Sequence, residues 1–180
     1  GLQLSYFNND YDAIKRSSTG THPFSDNPNL YNGNIRAAIT RNDGLSSAVG
    51  GGLTAQLHRY DQLGRLTQST FGEAESTSIA SSEGTPWSTV SAMSWTVGNK
   101  FATNLTYDKN GNISTLTRTD GTSNFFDQLD YQYENNNNRL NHINDVHRNT
   151  HAAIKDLADQ DPNNYVYDAS GRLTKDNSSD

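Results

Sequence analysis

Apolar and polar positions alternate with period two over short stretches of this chain, and clusters of Asp, Asn and Gly separate the stretches. In "LTYDKNGNISTLTR", Leu105 to Arg118, the Leu-Thr-Tyr run sets Leu105 and Tyr107 on one side of an extended strand, Asp-Lys-Asn-Gly interrupts it, and Asn-Ile-Ser-Thr-Leu resumes it. Successive strand side chains point to opposite faces, so this alternation predicts half-buried β-strands. The interruption carries turn chemistry. Asp at its first position can accept hydrogen bonds from the turn's own amides, and Gly at its last supplies a positive φ, the recipe of a type I turn closed by a glycine bulge between antiparallel strands.

The unit returns along the chain. "LHRYDQLGRLTQS" covers Leu57 to Ser69, "YQYENNNNRLNHI" covers Tyr131 to Ile143, "YVYDASGRLTKD" covers Tyr165 to Asp176, and "LYNGNIRAAI", Leu30 to Ile39, is a shortened relative. The recurring residues are Tyr60, Asp61, Gly64, Arg65 and Leu66; Tyr107, Asp108, Gly111 and Ile113; Tyr133, Arg139 and Leu140; and Tyr167, Asp168, Gly171, Arg172 and Leu173. Tyrosine and aliphatic stand six residues apart in three copies and seven apart in the copy at Tyr133. There Asn136 to Asn138 replace the glycine, Asn being the non-glycine residue that best tolerates left-handed φ. Hairpins are expected at about 30–39, 57–69, 105–118, 131–143 and 165–176. A lone hairpin is unstable in water, whereas hairpins stacked side by side bury one another's faces and edges. The predicted fold is all-β, with the tyrosines and their aliphatic partners as an inward or inter-hairpin layer.

The intervening segments read differently. Ala48 to Gln56, "AVGGGLTAQ", predicts a flexible bend, Gly72 to Pro86 an exposed Ser/Thr/Gly-rich loop, and Trp87 to Val97 a strand pair packing Val90, Met93 and Val97. A short helix is predicted over 150–158, capped by Asn149 or Thr150 and ended before Pro162.

Composition narrows the picture. Only 32% of the 180 residues are hydrophobic, so nine Tyr, six Phe and two Trp are expected to supply much of the core. A net charge of -6 and the absence of any basic run exclude nucleic acid as an expected partner. No cysteine is present, which removes disulfides and thiolate chemistry. No apolar run approaches the roughly 18 residues of a membrane-spanning helix. The start, "GLQLSYFNND", has neither Met nor a signal-peptide layout, and the chain is expected to be a segment of a larger protein.

Candidate chemistry is sparse. "DKNGNIST", Asp108 to Thr115, lacks the Gly and Glu of a calcium-binding EF-hand loop, with Ile113 and Thr119 in their places. His142, His147 and His151 have no accompanying HExxH, and Glu73 and Glu75 lie in the predicted loop. No nucleophile elbow, phosphate loop or dinucleotide fingerprint occurs, so no enzyme activity, cofactor or metal is expected. Trp87 and Trp95, with Phe101, are candidate contacts for a glycan ring; packing under the repeats is the competing reading.

"YDQLGRLTQS", "YDKNGNIST" and "YDASGRLTKD" resemble the YD repeat of the RHS-repeat superfamily, which includes bacterial RHS polymorphic toxins, shell subunits of insecticidal toxin complexes and the animal teneurins. "LQLSYFNNDYD", "YNGNIRA" and "LDYQYENNNNRLNHI" are similar to large secreted RHS proteins of Bacteroidota. The resemblance implies a secreted or cell-surface protein whose hairpins form a ribbon wound into a spiralling β-shell around a C-terminal toxin cargo, or a scaffold for adhesion to a surface glycan or protein. It implies neighbouring repeats as the first partners. Asp161-Pro162-Asn163-Asn164 lacks the Gly-Leu of the family's self-cleavage motif, so that activity is not carried over. Open strand edges at either end are expected to invite self-association.

Overall fold

A computed structural model describes residues 2–6, 29–41, 52–74, 95–135, 137–146, 157 and 159–178. The expectations placed on Trp87, Val90, Met93, Asn136, His147 and His151, and on the helix over 150–158 apart from Leu157, which is non-helical, lie outside the described residues. What is described is almost entirely antiparallel β-structure, as the alternation predicts. The chain divides into two compact units, Gly1–Asn99 and Lys100–Asp180.

The first unit contains β1 (Leu2–Ser5), β2 (Ala37–Arg41), β3 (Leu53–Tyr60), β4 (Leu66–Ala74) and the opening residues of β5 (Trp95–Tyr107). Strands β1 to β4 are hydrogen-bonded neighbours in chain order. The core comes from every second residue: Ala37 and Ile39 on β2, Leu53, Ala55 and Leu57 on β3, and Ala74 on β4, all buried. Register brings Ala37 opposite Leu57 and Ile39 opposite Ala55, so small residues face large ones across the layer. Burial of Ile39, Leu53 and Leu57 stabilises by roughly 1.5–3 kcal/mol each.

Four expectations are corrected here. Leu53 to Gln56 is not part of a bend but the start of β3, because its alternating Leu53 and Ala55 fill the core and Thr54 bonds across to Thr40 through their hydroxyls at 2.8 Å. The predicted loop at Gly72 begins later: Gly72 to Ala74 complete β4. A Cβ on Gly72 would stand 3.3 Å from Val97 Cγ2, so this glycine admits the close approach of β5's first residues. The segment 30–39 is not a hairpin by itself. Tyr31 is 77% exposed, and β2 pairs instead with β1, whose Ser5 carbonyl accepts from the Arg36 amide. Finally, no aromatic is among the buried hydrophobic residues described, which are Ala, Leu and Ile.

The second unit holds the rest of β5 with β6 (Ile113–Thr119), β7 (Phe125–Tyr133) and β8 (Leu140–Asp145) as successive antiparallel neighbours, and a hairpin of β9 (Tyr165–Tyr167) with β10 (Leu173–Asp176). Its buried apolar residues are Ala102, Leu129 and Ile143; Asp127, Asp145, Gln160 and Asn164 are buried with them. Buried polar groups need partners. Asp127 pairs with Arg118, whose guanidinium also lies 5.3 Å from the Phe126 ring centre. Gln160 behaves as a substitute strand residue: its amide donates to the Ile143 carbonyl while its side-chain oxygen accepts from the Ile143 amide. Asn164 donates to the Asp176 carboxylate at 2.9 Å.

Candidate functional site

The recurring residues build one device several times. In the turn after β3, Asp61 Oδ1 accepts from the amides of Leu63 and Arg65, Oδ2 accepts from Arg65 Nε at 2.6 Å, and the Gly64 amide returns to the Asp61 carbonyl. Asp168 does the same with Ser170, Arg172 and Gly171, and Asp108 with Asn110, Asn112 and Gly111, the Asn112 side-chain amide standing in for the guanidinium. Gly64, Gly111 and Gly171 have φ of 77°, 93° and 81°, the left-handed values the turn requires. These bonds hold the carboxyls below the usual aspartate range: for Asp61 and Asp168 the Arg backbone amide is the main cause, for Asp108 the Asn112 side chain.

Each turn hands over to a bulge that pairs tyrosine with aliphatic: Tyr60 with Leu66, Tyr107 with Ile113, Tyr133 with Leu140 and Tyr167 with Leu173. These are the pairs the six- and seven-residue spacings predict. In both Gly-Arg-Leu-Thr copies the threonine hydroxyl then donates across the hairpin, Thr67 to the Arg59 carbonyl and Thr174 to the Val166 carbonyl.

The tyrosines do more than pack. Tyr133 donates its phenol to the Ile113 carbonyl and Tyr167 to the Leu140 carbonyl, both at 3.0 Å. Tyr60 does likewise with the carbonyl of Ile35, the residue in the shortened copy that matches Ile113. Each phenol therefore reaches back to the aliphatic position of the preceding copy. Partial burial raises the pKa of Tyr60, Tyr133 and Tyr167, which keeps the donor protonated. The layer expected to point inward is thus an inter-hairpin layer of half-buried residues, and Leu173 at its end is 53% exposed.

The asparagine cluster serves the same junctions. Asn138 Oδ1 accepts from both Asn110 and Asn112 side chains at 3.0 Å, tying the turn of one hairpin to the next. Asn137 and Asn138 are not left-handed; Asn137 instead caps the turn by accepting from the Arg139 amide. Arg139 lies 5.7 Å from the Tyr167 ring centre, a cation–π contact that reaches the following copy.

One turn escaped the repeat pattern. Asp120 Oδ1 accepts from the amides of Thr122 and Asn124, and the Ser123 amide donates to the Asp120 carbonyl, which reproduces the same turn with Ser123 at φ 69° in the glycine position. The sequence signal was Asp120 followed four residues later by Asn124, as Asp108 is by Asn112.

Of the two tryptophans, Trp95 is half-buried and packs against the β2–β4 core, and Trp87 lies outside the described residues. His142 Nδ1 shares a hydrogen with Asn141 Oδ1 at 2.7 Å. Among the described residues no three His, Asp or Glu side chains converge to hold a metal ion, and no helix is long and apolar enough to cross a membrane. Comparison with protein-family models, with curated proteins and with solved structures finds no match.

Proposed function

We propose that this chain is a non-catalytic structural segment of an exported protein of the YD-repeat type, its hairpins forming part of a β-shell or scaffold that encloses or presents a C-terminal effector. The observation that supports this reading is the phenol-to-carbonyl bond that joins one copy to the copy before it, made by Tyr60, Tyr133 and Tyr167 at 3.0 Å in each case. Such a bond is indifferent to any substrate. It fixes the pitch at which one hairpin follows another, which is what a wall needs and a catalytic cleft does not. The polar side chains of the turns are committed to turn amides and to neighbouring copies, as in the Asp61, Asp108 and Asp168 turns.

Limited proteolysis of the native polypeptide that carries this segment, followed by intact-mass analysis, tests the proposal. A C-terminal polypeptide that is shielded and retained without a covalent link is the expected result. Complete digestion of everything beyond this segment, with no part shielded, overturns the enclosing role.

A further inference from the structure

We propose that Asn32 is a self-modification site, where the chain converts its own asparagine to aspartate and isoaspartate, while Asn110, set in the same local sequence, is protected by the fold. The chain writes "NGNI" twice, Asn32 to Ile35 in the shortened copy and Asn110 to Ile113 in a full one. Intrinsic reactivity is therefore the same at both, and the folded surroundings set them apart. In the full copy Asp108 collects the turn's donors: its side chain accepts from the Asn112 amide and its carbonyl from the Gly111 amide. The Asn110 side-chain amide is tied to Asn138 Oδ1 at 3.0 Å.

The shortened copy lacks that aspartate, since Tyr31 precedes Asn32 directly. The Asn34 amide, counterpart of the Asn112 amide, donates instead to Asn32 Oδ1 at 3.1 Å. It thereby polarises the Asn32 side-chain carbonyl and sits where negative charge gathers when a nucleophile adds to Cγ. Asn32 and Gly33 are exposed, and among the described residues no hydrogen bond holds Asn32 Nδ2 or the Gly33 amide. A Cβ built on Gly33 meets nothing within 4 Å, so the approach is open.

The Gly33 nitrogen, its proton given to hydroxide, adds to Asn32 Cγ. A C–N bond forms, the side-chain nitrogen takes up a proton and leaves as ammonia, and a cyclic imide remains. Water then opens the imide. Attack at the side-chain carbonyl restores the backbone with an aspartate, and attack at the main-chain carbonyl leaves isoaspartate, which adds a methylene to the backbone. The balance is water taken up and ammonia released, with no change of oxidation state. Ile35 lies close behind, and its carbonyl accepts the Tyr60 phenol, so isoaspartate at 32 loosens that junction.

Mass-spectrometric peptide mapping of the 180-residue chain, aged in mildly alkaline buffer made with heavy-oxygen water, tests this. Asn32 should convert about tenfold or more faster than Asn110, whose hydrogen bonds must break first. In concentrated guanidinium the two rates should converge. Asn138→Ala should speed conversion at Asn110 and leave Asn32 unchanged. No conversion at Asn32, equal rates in the folded chain, faster conversion at Asn110, or a difference that survives unfolding overturns the proposal.

Discussion

The phenol of Tyr133 donates to the backbone carbonyl of Ile113, 20 residues earlier, at 3.0 Å. A side chain thus performs between hairpins what backbone amides perform within them. Replacement of Tyr133 or Tyr167 by Phe leaves the ring in place and strands the carbonyl, and each change should destabilise by about 1 kcal/mol. Denaturant unfolding checks this, and loss of less than a few tenths of a kcal/mol for both would show that the ring alone matters.

Gly64, Gly111 and Gly171 carry left-handed φ, and a Cβ at Gly64 or Gly171 would find its nearest neighbours at 3.4 Å and 3.6 Å. Space is therefore adequate and backbone strain decides the outcome. Valine at any of the three should cost about 1 kcal/mol or more. The reverse change is equally informative: Ser123→Gly, at φ 69°, should stabilise by roughly 0.5–1 kcal/mol, read as a rise in Tm.

Arg118 pairs with Asp127, whose side chain is only 2% exposed while that of Arg118 is 48% exposed. Arg118→Ala leaves a buried carboxylate without its cation and should destabilise by roughly 2–4 kcal/mol, less than a fully buried pair because water can reach the site. Chemical unfolding of Arg118→Ala beside Arg118→Lys separates charge from geometry: the lysine variant should recover part of the loss.

Acid should weaken the fold in two stages. His58 is held below its usual pKa by burial, so its contribution is full above about pH 6.5 and is lost as pH falls through its lower folded value. Asp61, Asp108 and Asp168 are likewise lowered, so theirs is full above about pH 4 and is lost only below that. Thermal melts from pH 8 to pH 3 should show both steps, and His58→Gln should erase the first alone. At the alkaline end the sign reverses. Tyr60, Tyr133 and Tyr167 have raised pKa, so their contribution persists below about pH 10 and is lost as pH rises through the folded values, because a phenolate cannot donate.

The hairpins were legible because Asp, Gly and the tyrosine-aliphatic spacing each state a local geometric need. Tyr60 with Leu66 and Tyr167 with Leu173 pair where that spacing puts them. The turn at Asp120 was obscured because Ser123 holds a left-handed φ without being Gly or Asn. The core was misjudged for a different reason. Aromatic content signals burial only when the polar tip has nowhere else to go, and here the phenols of Tyr60, Tyr133 and Tyr167 find carbonyls at the flank, which leaves Ala37, Ala55 and Ala74 to fill the interior. Nor could side-chain alternation reveal that Gln160 bonds both the amide and the carbonyl of Ile143 on β8, since it does so from outside any strand, with its backbone amide and its side-chain oxygen.

Because Tyr60, Tyr133 and Tyr167 all reach toward lower residue numbers, the junctions have a direction in time as well as in space. A hairpin leaving the ribosome meets an acceptor that is already made, and needs nothing still to come. The ribbon can be finished one rib at a time behind the advancing chain end, with the newest rib always the least secured.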